Sequence, residues 1–270
     1  MHQQRADTST NSQTDGYARR WLQWQTALSS FFKFFMIITD SSQRPSERLI
    51  QVVSNYFLPK GFIYKKSQNQ FSRIVGNRKE MVSIFYNKTG NLISPTFTWA
   101  ILFPNLEKVY KEIDIEVGKR KAETTLWMDL LNFSKRRENN DPWDFDLYDK
   151  KTLKYDDFSI NEGAVQLINC YEKYIEPFFE FYKDLKNLEG ELNEIPLRHH
   201  NYIGYGGRQI SLGLILGNLF DKDNFESLKN LYQQYIQNDK EGDEFKNKME
   251  LYYANTLRYL KSKDIEKIID

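Results

Sequence analysis

Between Pro59 and Pro104 apolar and polar residues alternate in short runs, each closed by turn-forming residues. The first run, Phe62 to Lys66, puts Phe62 and Tyr64 on one face, and Ser67-Gln68-Asn69 turns it. The second, Gln70 to Val75, ends at Gly76-Asn77-Arg78-Lys79, where Gly and Asn accept left-handed backbone. The third, Met81 to Tyr86, is apolar on both sides: Val82, Ile84 and Tyr86 on one, Met81 and Phe85 on the other. After Asn87–Asn91 the fourth run, Thr96 to Phe103, alternates most clearly. Phe97, Trp99, Ile101 and Phe103 share one face, and Thr96, Thr98, Ala100 and Leu102 the other. Strands joined by such short turns form an antiparallel meander. A sheet with one apolar face has to bury it, and helices on either side in sequence are the available cover.

Period 3.6 replaces period 2 around this segment. Leu49, Ile50, Val53 and Phe57 lie on one face of a helix over Ser46–Phe57, with Pro45 before it and Ser46 as N-cap. Leu106–Ile113 reads as a short helix or a loop, and Ile113, Ile115 and Val117 alternate as a brief strand. Thr124–Phe133 reads as a strand with Leu126, Met128 and Leu130 on one side, followed by a charged loop from Ser134 to Lys154. Ser159-Ile160-Asn161-Glu162 has the form of a capping box and opens a helix predicted over Asn161–Lys186. Val165, Ile168, Tyr171, Ile175 and Phe179 form its stripe, and Pro177 is expected to kink it. Leu188–Leu197 reads as a linker. Three helices follow: Arg208–Leu219, Asn224–Gln237 capped by Asp223, and Asp243–Lys261, the last two as a helical hairpin.

The expected fold class is therefore α+β: an antiparallel sheet of four or more strands packed against helices, with a helical C-terminal extension. The expected division is 1–45 as a disordered or non-native extension, 46–192 as the α+β domain, and 193–270 as a helical region packed on it.

Within that frame Gly61, Phe62, Lys65, Phe71 and Arg73 follow the end of a helix as GF-x-x-K-x-x-x-x-x-F-x-R. Val82, Ile84 and the aromatic strand Phe97–Phe103 come next, then Trp143 in an acidic loop and Tyr174-Ile175-Glu176-Pro177-Phe178-Phe179. In these features the chain, from about Leu49 to Leu192, resembles the DUF4304-type proteins, a bacterial family of unknown function. The resemblance implies a fold and brings no catalytic residues with it.

Composition narrows the function. The chain has 270 residues, enough for a large core, and 15% of them are aromatic, which argues against overall disorder. A net charge of +1 lacks the basic excess of a dedicated nucleic-acid binder. The lone cysteine, Cys170, falls on a helix; it can form no intrachain disulfide and suits a reducing compartment. Met1–Gly16 is polar and expected to be disordered. Tyr17–Thr39 carries basic residues ahead of the apolar run Phe31–Ile38, but Lys33 interrupts that run and no small-residue cleavage site follows. Met36 is an alternative start. No membrane association is expected, and the expected location is cytoplasmic.

Four patterns bear on chemistry. Gly204-x-Gly206-Gly207-Arg208 ahead of a helix is an anion-binding candidate through Gly206, Gly207 and Arg208, although it lacks the Lys-Ser/Thr of a P-loop. His199-His200, with His2 the other histidine, makes a poor metal site. Asp144, Asp146 and Asp149 miss the glycine and the final glutamate of a calcium loop. Lys65, Lys66, Arg73 and Arg78, with Lys79, interleave with Phe62, Tyr64 and Phe71 and form the candidate partner-binding set, of a kind that also fits RNA. No metal, cofactor or catalytic residue is expected. The expected function is a non-catalytic intracellular binding protein, immunity-like in its recognition of another protein. The alternative is an enzyme acting on nucleic acid or a phosphorylated ligand.

Overall fold

The computed structural model describes residues 44–89, 92–113, 124–129, 157–196, 203, 206–238 and 242–269. The expectations for the N-terminal 43 residues, for Ile115, Val117, Leu130 and Trp143, for the aspartates of the 134–154 loop, for His199-His200 and for Gly204 lie outside them.

Helix α1 (Pro45–Phe57) begins on Pro45, whose missing N–H costs nothing in a first turn. It ends in a 3₁₀ turn, Leu58–Lys60, closed by Gly61 at φ 82°, a left-handed position that favours glycine. Five strands follow: β1 (Ile63–Lys65), β2 (Gln70–Val75), β3 (Arg78–Thr89), β4 (Leu92–Leu102) and β5 (Leu126–Asp129). They pair antiparallel in the order β1-β2-β3-β4-β5. β3 and β4 run longer than the alternation alone marked, because they pair continuously from Lys79↔Leu102 to Thr89↔Leu92. Between β4 and β5 lies α2 (Pro104–Ile113), again opened by proline. This settles the helix-or-loop choice for Leu106–Ile113, and places Ile113 in that helix rather than in a strand.

The register sorts side chains into two faces. The row Tyr64–Phe71–Val82–Trp99–Met128 crosses all five strands on the inner face. Phe71, Val82, Trp99 and Met128 are buried there, with Ile84, Phe97, Ile101 and Leu126 in neighbouring rows. Phe57 stacks on Phe71 at 4.8 Å and meets Phe62 and Tyr171 edge-on, which seats α1 against this face.

Helix α3 (Asp157–Cys170) starts at Asp157, so Ser159 lies inside its first turn instead of capping it. It runs through a π turn, Tyr171–Ile175, into α4 (Glu176–Phe181). Pro177 explains the π turn: it has no N–H for the carbonyl four residues back, and its ring would crowd that carbonyl. The widened turn just ahead of it, with the Glu176 N–H bonded to the Tyr171 carbonyl, relieves the conflict without ending the helix.

The expected linker at Leu188–Leu197 is instead mostly helix, α5 (Leu185–Glu194). Asp184 caps it by accepting from the Lys186 N–H at 2.8 Å, and Leu185, Leu188 and Leu192 are buried along one stripe. Its high content of Glu and Asn with one Gly hid that stripe. α6 (Gly207–Phe220), α7 (Phe225–Asn238), α8 (Asp243–Ser262) and the short α9 (Glu266–Ile269) complete the chain.

α6 is buried from Gly207 to Gly217 apart from Arg208, and α5, α7 and α8 pack around it. Close approach needs its glycines: a Cβ on Gly213 would stand 1.8 Å from the Tyr232 hydroxyl, and one on Gly217 2.3 Å from Leu228. Leu212, Ile215 and Leu216 of α6 join the same apolar cluster as the inner sheet face, so one core runs from the sheet into the C-terminal helices. A second cluster joins Ile210 and Leu214 to Tyr232 and Ile236 of α7 and to Met249 and Tyr252 of α8. No helix among the described residues is long and apolar enough to cross a membrane.

Candidate functional site

The strand pleat that buries Trp99 turns Ile63, Lys65, Ile74, Lys79, Met81, Phe85, Ala100 and Trp127 to the other side of the sheet. Large apolar side chains stay open on this outer face: Ile63 is 73% exposed, Ile74 80%, Phe85 50% and Trp127 42%. Met81 and Ala100, between them, are buried. Exposed apolar residues scattered singly are ordinary; here four share one face of one sheet, Ile63 and Ile74 adjacent at the β1–β2 side and Phe85 and Trp127 apart from them, with Ser83 and Thr98 in the middle also buried. The row Ile63–Ser72–Met81–Ala100–Trp127 spans the sheet, four strand spacings or about 19 Å.

The four basic residues expected to bind a partner do not form one surface. Arg73 and Arg78 point to the inner side, where both pair with Glu80, which is 0% exposed. Arg73 Nε donates to Glu80 Oε2 at 2.7 Å, and Arg78 donates to Oε1 through Nε at 2.8 Å and Nη2 at 2.5 Å. Arg73 also donates to the Lys60 carbonyl at 3.1 Å and covers the Phe62 ring. A buried carboxylate needs such partners, because an isolated charge taken out of water is very costly. Lys66 is exposed but pairs with Glu47 at 3.3 Å, which holds the Glu47 carboxyl below its usual range. Lys65 stands on the outer face beside Ile63, exposed, and Lys79 shares that face.

Next to the Arg–Glu–Arg group lies a polar corner not foreseen from the sequence. Tyr56 donates to Glu172 at 2.8 Å, and Lys60 pairs with Glu176 at 3.1 Å beneath the Tyr56 and Tyr171 rings. The Tyr171 hydroxyl is buried within it and makes no hydrogen bond in normal geometry. Burial, and then the Glu176 and Glu80 charges, push this phenol well above its usual range against the pull of Arg73. It is therefore poorly suited to proton transfer near neutrality.

At the expected anion site, Gly206–Arg208, the side chain and the glycines are engaged within the fold. Arg208 pairs with the buried Glu107 of α2, donates to the Thr124 carbonyl at 3.0 Å, and lies over the Tyr110 ring. Its guanidinium ties the start of α6 to α2 and to the approach of β5. Gly206 has φ 86° and is packed by Met249, and a Cβ on Gly207 would meet the Tyr252 ring at 2.0 Å. These glycines are demanded by the fit of α8.

Cys170 is buried and its thiol is pushed up to about 12 by burial, so it is a poor nucleophile. Among the described residues no group of histidine, cysteine and carboxylate side chains is placed to hold a metal. A shallow cleft of about 530 Å³ lies between the start of α1 and the Lys66–Asn69 turn, lined by Arg44, Glu47, Ile50, Gln51, Tyr64 and Lys66 among others.

The outer face was missed because Ile63 and Ile74 count as ordinary strand formers. The signal was present in parity: Ile63 alternates with Phe62 and Tyr64, so burying one set exposes the other. No family model, no curated protein and no solved structure matches this chain.

Proposed function

We propose that the chain is a non-catalytic intracellular binding protein and that it takes another protein on the outer face of its sheet. The observation that carries this is the set Ile63, Ile74, Phe85 and Trp127, left exposed on the face opposite the one that packs the core. Nucleic acid has less support. Phe85 and Trp127 are two strands and four residues apart, about 16 Å, too far for neighbouring bases to stack on both. The alternative of an enzyme for a phosphorylated ligand at Gly206–Arg208 is weakened by the engagement of Arg208 with Glu107. The likeness to DUF4304-type proteins adds an expected fold and no activity.

The test is crosslinking and affinity capture from cells of the source organism, with wild type, an Ile74→Ser/Trp127→Ser variant and a Leu251→Ser control on α8. A protein captured by wild type and control and lost in the double variant supports the proposal. A partner retained equally by all three, or retention abolished by nuclease, overturns it.

A further inference from the structure

We infer that the β1–β3 corner of the outer face receives an acidic amphipathic helix of a protein partner. This rests on the proposal that the face binds protein, and names what lies on it. Lys65, Ile63, Ile74 and Lys79 form a diagonal across this corner. In the register Lys65 stands opposite Gln70, Ile63 opposite Ser72, and Ile74 opposite Lys79. Lys65 and Lys79 are then two strands and four residues apart, about 16 Å, with the two isoleucines between them.

The two lysines differ from Arg73 and Arg78 on β2 and β3. Neither makes an ion pair or a side-chain hydrogen bond among the described residues, whereas Arg73 and Arg78 share Glu80. In the same rows of the outer face the acidic position is Asp129 on β5, four strands from Lys65 or about 19 Å. The corner is thus an apolar strip with an unmatched positive charge at each end, and the complementary surface is apolar with a carboxylate at each end.

The geometry favours a helix laid on the face over a strand added to the edge. β1 is three residues long, closed by 3₁₀ turns at Leu58–Lys60 and Lys66–Gln68, and it carries Lys65. Short, charged edges of this kind resist strand addition. A helix rises 1.5 Å per residue, so carboxylates at i and i+11 span about 16 Å on one side. Apolar residues at i+4 and i+8 of the same stripe then meet Ile63 and Ile74.

The probe is a labelled helical peptide of about 15 residues with glutamates at i and i+11 and leucines at i+4 and i+8, read by fluorescence anisotropy against the full chain. A second peptide replaces both glutamates with lysine, and a short single-stranded RNA is the third probe. The glutamate peptide is expected to bind wild type, and K65E/K79E to weaken it by about tenfold or more at low salt, less as salt rises. The lysine peptide is expected to gain on K65E/K79E, and I63S/I74S to lose both peptides. Ile63, Lys65 and Ile74 are exposed and Lys79 is half-buried, and circular dichroism checks that each variant folds.

Equal binding of the glutamate peptide by wild type and K65E/K79E overturns the inference, as does RNA that binds more tightly than either peptide. Failure of the peptide to bind wild type also overturns it. If the partner captured from cells still depends on Ile74 and Trp127, the binding-protein proposal stands without the helix; if that dependence fails too, both fall.

Discussion

Glu80→Ala removes the carboxylate that holds two arginines on the inner side of the sheet. Glu80 is fully buried, and Arg78, at 5% exposure, has almost no access to water. Both carboxylate oxygens are used, in three charge-assisted bonds of 2.5 to 2.8 Å. At an effective dielectric of about 20, each pair at about 4 Å is worth roughly 4 kcal/mol of attraction, most of it offset by the desolvation of three charges. Removal of the centre forfeits the attraction and keeps the desolvation of the two cations, which then repel each other. Loss of one partner of a buried pair costs about 3–5 kcal/mol, and two stranded guanidiniums put Glu80→Ala at the upper end. A domain is stable by about 5–15 kcal/mol, so this loss is large. The assay is urea unfolding at neutral pH, where the midpoint should fall with the slope unchanged. In an Arg73→Met/Glu80→Leu/Arg78→Met variant, which removes all three charges, much of the stability should return. A loss below about 1 kcal/mol for Glu80→Ala would refute the reasoning and free Arg73 and Arg78 for a partner after all.

Trp99→Ala empties a fully buried position on β4 against Phe178 and should cost about 3–5 kcal/mol in the same assay. Gly207→Ala should cost about 1–3 kcal/mol through its clash with Tyr252, whereas a variant as stable as wild type would return Gly207 to the anion-binding reading. Cys170 in the native chain should resist alkylation at pH 8 and react only on unfolding. Its folded pKa is raised, so its contribution to stability is full below the ordinary thiol value of 9.0 and lost as pH climbs towards about 12. Urea midpoints followed from pH 8 to 11 should therefore fall, and fall less in a Cys170→Ala variant.

The α+β class, the meander and its buried face were legible because strand periodicity is local. Phe97, Trp99, Ile101 and Phe103 announce one face, and all four are buried, the first three on β4 and Phe103 just past its end. Helix α1 was legible from Leu49, Val53 and Phe57, and the C-terminal helices from their apolar spacing. α5 was not, because its three leucines are spread among Glu, Asn and Gly. Its stability comes from α6, which a local pattern does not contain.

The candidate site divides along the same line. Side-chain parity along a strand is local, so the sequence determined that Ile63 and Lys65 oppose Phe62 and Tyr64. Charge partners are not local. Arg73 reaches Glu80 only because β2 folds back on β3, and Arg208 meets Glu107 from 101 residues away, when α6 docks on α2. A basic residue reads alike in one dimension whether it is free or neutralised. Burial raises the cost of an unpaired charge, so the tertiary fold matched Arg73, Arg78 and Arg208 internally and left Lys65 exposed and Lys79 half-exposed on the outer face.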